Sequence, residues 1–232
     1  MTGGGQTFVY VADPDSGVVH RYVYDPFTGL LPYGILCNDQ GEGTRVAKQP
    51  AGLARDRVDS LLVCDIAPDR HWVIRFNGTP DLADTTAAGE PLWRGLPVLF
   101  DVATDDPPPP ADYVLGNAPG ADGTAWDPGP SSAEGEFDEP RSVAVDGSGR
   151  IFVADHGNHR VQVFDEAGVY DFAFGDSLVM PYPESVAVID ESVDPPEIDY
   201  GAYLLILGDG VLRKFISGEH YDAINEDPGP LD

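Results

Sequence analysis

An all-β fold is predicted, and three observations predict it. Residues 137–175 read FDEPRSVAVDGSGRIFVADHGNHRVQVFDEAGVYDFAFG, in which three β-type runs (SVAVD, RIFVAD, RVQVF) are separated by the tight polar turns DGSG and HGNH and followed by YDFAF. That is a four-stranded antiparallel meander. The meander recurs in weaker form along the chain. The 27 Gly and 22 Pro among 232 residues suit many short strands joined by turns, and no long helical periodicity competes with them. A repeated meander of this size predicts a radial array of small sheets, a β-propeller.

The elements follow in order. A first blade is expected at about 7–38, with FVYVAD ending at Asp13 and VVHRY at Val18–Tyr22, and without an inner strand of its own. A second spans 49–116: inner strand Pro50–Asp56, then LLVCD ending at Asp65, then WVIRF at Trp72–Phe76. A Pro-rich insertion at 77–111, ending in PPPP, separates these from a strand at Asp112–Leu115. Segment 117–136 has loop chemistry, with Gly, Pro, Ser and acid but no periodicity. The third blade is 138–175, with inner strand Pro140–Asp146. The fourth is 181–222, with Pro183–Asp190, AYLLIL and VLRKF (Val211–Phe215), the strand-end aspartate being replaced by an apolar residue. Small and β-branched residues suit the inner strands, which crowd a narrow axis. Residues 1–232 are thus read as one propeller domain of four blades. A degenerate fifth within 85–117 is the alternative, because Asp65 and Asp155 lie 90 residues apart (155 − 65), about twice a typical repeat.

A formal net charge of −27 disfavours nucleic acid and anionic lipid as partners and favours cations, including Ca²⁺, and basic proteins. The same acid surface also serves solubility. Two cysteines, Cys37 and Cys64, make neither a disulfide framework nor a zinc cage alone. Cys64, in LLVCDI, stands where other repeats carry Ala12 and Ala154 and reads as a small buried thiol, although a single bridge between neighbouring blades is open. No apolar run reaches the length of a membrane span, and MTGGGQ lacks a signal-peptide pattern. The expectation is a soluble protein, either inside the cell or, with an export segment outside this sequence, extracellular or at the cell envelope.

The third repeat resembles the NHL repeat, whose pattern is P-x-G-V-A-V-D followed by G-x-I-Y-V-A-D-x-x-N-x-R-V-Q-V-F-D. Pro140, Val143, Ala144, Val145, Asp146, Gly149, Ile151, Val153, Ala154, Asp155, Asn158, Arg160, Val161, Gln162, Val163, Phe164 and Asp165 all stand in place. Residues 111–116, ADYVLG, are similar to a strand of a bacterial NHL subgroup with long Pro-rich loops. Such families usually form six-bladed rings, and this chain has too few repeats for one. The resemblance leaves open a small closed ring, a fragment, or half of an assembly. An open arc would leave two apolar blade faces exposed, so self-association through them is expected if the arc does not close.

Turns after each second strand share one rim of a propeller with the links between blades. That rim carries Asp13, Asp15, Asp65, Asp69, His71, Asp155, His156 and His159, a carboxylate and imidazole set able to hold Ca²⁺ or a cationic ligand. The competing reading is structural. Asp155, Asn158 and Arg160 belong to the repeat pattern; the aspartate can cap its turn and the arginine can pair with a carboxylate of the adjoining blade. His20 and His220 have no partner legible in the sequence. No GxSxG, HExxH or phosphate-cradling glycine loop is present. Glu134, Glu136 and Asp138 could form an acid–base pair, but their loop composition argues against fixed geometry. The leading expectation is a non-catalytic binding or structural propeller that recognises a protein, peptide or glycan on one rim, with no resident cofactor assigned. What the resemblance implies as an alternative is a metal-dependent lyase or lactonase with a ligand set lining the central channel. The inner strands SVAVD, AGLARD and SVAVID offer few such groups.

Overall fold

A computed structural model describes residues 7–36, 49–57, 60–68, 71–76, 114–116, 130–189 and 203–216. The described chain is all strand and turn. In order the strands are β1 (Thr7–Asp13), β2 (Val18–Asp25), β3 (Gly29–Leu36), β4 (Pro50–Arg55), β5 (Leu61–Asp65), β6 (Trp72–Phe76), β7 (Val114–Gly116), β8 (Pro140–Val145), β9 (Ile151–Asp155), β10 (Arg160–Phe164), β11 (Tyr170–Phe174), β12 (Pro183–Ile189), β13 (Tyr203–Gly208) and β14 (Val211–Ile216). They form four antiparallel meanders: β1-β2-β3, β4-β5-β6-β7, β8-β9-β10-β11 and β12-β13-β14. Two of the sheets therefore have four strands and two have three among the described residues. The insertion 77–111, loop 117–129, Cys37, Asp69 and His220 lie outside the described residues.

The sheets stack face to face, and the strand sequences show why. Strand residues alternate between sheet faces. Leu61 and Val63 pack with Val19, Trp72 and Ile74 against the first sheet. Leu62 and Cys64, one residue out of phase, pack with Phe137, Val143, Ile151 and Val153 against the third. Phe152 and Ala154 then pack with Val186, Leu204, Ile206 and Phe215 against the fourth. A strand covered on both faces needs an unbroken apolar run, which is what LLVC and IFVA provide.

Strand β4 touches β8 and β8 touches β12, so the first strands of successive meanders line one axis. Strand β5 also touches β8, β9 touches β12, and β1 touches β4 in the same way, which puts β1 in the second-strand position of its sheet. Close approach at the axis explains the small residues there. A Cβ on Gly52 would lie 2.5 Å from Ser142 Cα and 2.7 Å from the Arg141 carbonyl oxygen. One blade further on, the Val186 N–H donates to Ser142 Oγ at 3.2 Å. Among the described residues, no contact of comparable extent joins the fourth sheet back to the first. Their outward faces carry exposed apolar side chains, Val11, Tyr24 and Leu30 at one end and Leu207 and Leu212 at the other.

Candidate functional site

The rim is built from a device that two repeats share. Pro50 pairs with Asp65 across β4–β5 and Pro140 with Asp155 across β8–β9, so each aspartate ends its strand beside the start of the inner strand. Both aspartates are fully buried. Asp155 Oδ1 accepts from the Asp138 N–H at 2.8 Å, and its Oδ2 accepts from Arg160 Nε at 2.7 Å and Gln162 Nε2 at 3.0 Å. Asn158 Nδ2 donates to both oxygens, at 3.0 and 2.9 Å. Burial is the largest influence on this carboxyl and pushes its pKa up, against the pull of the Asp138 N–H and the Arg160 guanidinium. Asp65 is used alike: Oδ1 accepts from the Gln49 and Ala67 N–H groups at 2.9 and 3.2 Å, and Oδ2 from Trp72 Nε1 at 3.4 Å. Trp72 thus stands where Arg160 stands one blade later.

Arg160 differs from the sequence expectation in one respect. Its carboxylate partner belongs to its own blade, because the Asp155–Arg160 register pair brings the two side chains together. Its Nη2 reaches the carbonyls of Ala133 and Glu136, and Gln162 binds the Gly135 N–H and the Glu136 carbonyl. The segment 130–139 is therefore pinned to the third blade, contrary to what its composition suggests. In the fourth blade, Gly208 occupies the aspartate's place opposite Pro183. Its turn shrinks to Asp209–Gly210, with φ of 51° and 71°, a two-residue hairpin that closes without a capping carboxylate.

His71 and His159 occupy one repeat position, immediately before the third strand. Each reaches forward to the next blade. His71 Nδ1 accepts from the Glu139 N–H at 2.8 Å, and His159 Nδ1 accepts from the Tyr182 N–H at 3.2 Å. Glu139 and Tyr182 each precede the inner-strand proline, and each holds a left-handed backbone, φ of 53° and 49°. That conformation is costly for side-chain-bearing residues. It turns the side chain out of the strand: Tyr182 is 51% exposed and the Glu139 side chain 44%. Gln49, before Pro50, is also exposed. No sequence signal marked the left-handed turn, but the repeated residue-before-proline position marked the place.

Around these outward residues lies a mixed cluster. Arg141 Nη2 bonds Glu139 Oε2 at 2.9 Å, and His156 Nε2 lies 4.0 Å from the same oxygen. The His156 ring sits 5.3 Å from that of Tyr182, and the His159 ring meets Tyr182 edge-on at 4.4 Å. Arg141 Nε and His156 Nδ1 are buried and make no hydrogen bond among the described residues. Burial first, then the Arg141 charge, lowers the His156 pKa, while Glu139 and Glu184 act the other way. His71 Nδ1 also lies 3.6 Å from Asp138.

The described rim residues divide. His71, His156 and His159 gather about Glu139 and Tyr182, whereas Asp65 and Asp155 lie inside the blades. Asp13 stays in the first sheet, accepting from the Ser16 N–H at 3.2 Å and lying 3.7 Å from His20 Nε2, the partner that the sequence did not reveal. Among the described residues, no three His, Cys, Asp or Glu side chains converge as a metal centre. Cys64 is a buried free thiol whose pKa burial pushes far up.

Comparison with known proteins identifies one of the repeats. The NHL repeat family model matches residues 137–164. The protein brain tumor of Drosophila melanogaster is 47% identical over 66 residues, covering 26% of this chain and 6% of that protein. The B-box type zinc finger protein ncl-1 of Caenorhabditis elegans is 59% identical over 39 residues, covering 17% of this chain and 5% of its own length. The chain therefore spans only a small part of the curated relatives it matches. Among solved structures, Chaetomium thermophilum Sqt1, bound to the N-terminus of ribosomal protein L10, aligns with TM-score 0.45 and 13% identity over 90% of this chain and 55% of that one. A Lactobacillus plantarum protein aligns with TM-score 0.44 and 14% identity over 91% and 50%. What the comparisons show is one NHL repeat in this chain, at residues 137–164, the strands of the third sheet from β8 to β10.

Proposed function

We propose that this chain is a non-catalytic binding module that recognises a protein, peptide or glycan on the rim formed by the β5–β6 and β9–β10 turns and the approaches to β8 and β12. One observation carries the reading. Four of the acid and imidazole groups that could do chemistry on this rim are bonded to backbone, Asp65 and Asp155 within their blades and His71 and His159 between blades. The side chains directed outward, Glu139 and Tyr182, stand on a backbone held by those bonds. A fixed frame with variable outward residues is suited to recognition, because little conformational entropy is lost on binding.

Peptide and glycan arrays probed with the purified chain test this. The expected result is a ligand class whose binding falls when Glu139 or Tyr182 is changed to serine. A saturable rise in melting temperature with added Ca²⁺ or Zn²⁺, or turnover of a lactone, would overturn the non-catalytic reading.

A further inference from the structure

The geometry points to a cation-recognising platform at the junction of the third and fourth blades: we propose that Tyr182, flanked by Glu139 and Glu184, takes a lysine or arginine side chain of a basic peptide. The inference rests on the binding reading above and names the chemistry of its ligand.

Four observations converge. Tyr182 is a half-exposed aromatic ring. Its ring is held, not free: the His159 ring meets it edge-on at 4.4 Å and the His156 ring lies at 5.3 Å, while His159 Nδ1 fixes its backbone. The position has a left-handed φ of 49°, where tyrosine is costly and glycine or asparagine would be the unstrained choice. The immediate charge is negative. Glu139 and Glu184 act on the neighbouring His156 against Arg141, and Arg141 is already paired with Glu139 at 2.9 Å. Depression of the His156 pKa keeps that ring neutral near pH 7.

An aromatic face with adjacent carboxylates attracts ammonium and guanidinium groups, by the ring quadrupole and by charge. A net charge of −27 draws a basic partner toward the molecule at long range, but it does not choose a place. Tyr182 supplies the place. The orientation of the ring toward an incoming chain is set before binding, so its cation contact is not offset by ordering of a loose side chain.

The test uses the full chain and pentapeptides of sequence Gly-Gly-X-Gly-Gly, with X as arginine, lysine, norleucine or glutamate, at 150 mM salt. Binding is followed by shifts of the Tyr182, Glu139 and His156 signals in NMR. Arginine and lysine peptides should saturate those shifts, and norleucine and glutamate peptides should not. Tyr182→Ser should weaken binding by roughly 5- to 30-fold, in line with the size of a cation–π contact. Tyr182→Phe should keep it, and Asp171→Asn, on β11, should leave it unchanged. Should Tyr182→Ser disturb folding, the Glu139→Gln/Glu184→Gln pair gives the same readout and should also lose the arginine peptide. Equal binding of norleucine and arginine, or undiminished binding by Tyr182→Ser or by the double variant, would overturn the proposal. A neutral array ligand lost on Tyr182→Ser would do so too, while leaving the binding function standing.

Discussion

Removing the Asp155 carboxylate should unfold the third blade far more readily than removing any rim charge. Asp155 is fully buried and accepts from one backbone N–H and three side chains, with the Arg160 guanidinium at 2.7 Å. In Asp155→Ala, Arg160, whose side chain is only 15% exposed, keeps its charge and loses its counter-ion. Breaking a buried pair from one side costs about 3–5 kcal/mol. At about 2–4 °C per kcal/mol for a chain of this size, the melting temperature should fall by roughly 6–20 °C. Asp65→Ala leaves an indole N–H and two backbone N–H groups, not a bare cation, and should cost about 1–3 kcal/mol. Urea unfolding followed by circular dichroism measures both. The double variant Asp155→Ala/Arg160→Met should recover part of the loss, because it removes the stranded charge. A loss below about 1 kcal/mol for Asp155→Ala would refute the argument that this carboxylate holds the blade, and would return it to the list of ligand candidates.

Three further outcomes follow from the same geometry. Gly52→Ala places a methyl against Ser142 Cα and the Arg141 carbonyl, backbone that cannot yield, and should destabilise by about 1–3 kcal/mol in thermal unfolding even though the residue lies in a strand where alanine is otherwise preferred. Burial holds the His156 pKa below the ordinary histidine value of 6.5, so the native state binds fewer protons than the unfolded chain just below that pH. Its contribution to stability is present above about pH 6.5 and is lost as pH falls toward the folded pKa; NMR titration should give a midpoint below 6.5, and His156→Phe should flatten stability across that window. His71→Ala should leave the Glu139 N–H without its acceptor and cost about 1–3 kcal/mol, with faster amide exchange at Glu139 and no such change at Tyr182; His159→Ala should reverse that exchange pattern.

How much of this was legible in the sequence depends on whether the signal was local. The apolar runs LLVC and IFVA carry the fold, since a continuous run of four bounded by turns requires cover on both faces. The Asp146 turn was equally plain: its carboxylate binds the N–H groups of Ser148 and Arg150 at 2.9 Å each, within four residues. The rim was not local. His71 meets a residue 68 positions later and His159 one 23 positions later, so neither strand alternation nor turn chemistry could reveal that these imidazoles latch successive blades. Residue type alone made them resemble ligands. Asp65 and Asp155 misled in the same direction, because the end of a strand looks exposed in one dimension and is covered by the approaching inner strand in three.

The repeat itself supplies the correction. Where successive blades keep the same residue at one position, as with Asp65 and Asp155 or His71 and His159, the frame needs that residue and its polar atoms are engaged. Where the frame is kept but the residue changes, as with Glu139 and Tyr182 before their prolines, backbone geometry is common and side-chain chemistry is not. Recognition should reside at the second kind of position. Exchanging the left-handed residues before two inner-strand prolines, Glu139→Tyr with Tyr182→Glu, keeps the backbone N–H groups that bind His71 and His159 and gives up the His159–Tyr182 ring contact and the Glu139–Arg141 pair, so it should lower the melting temperature by only a few degrees while abolishing binding of the arginine peptide. A swap that unfolds the protein would show instead that these side chains belong to the scaffold.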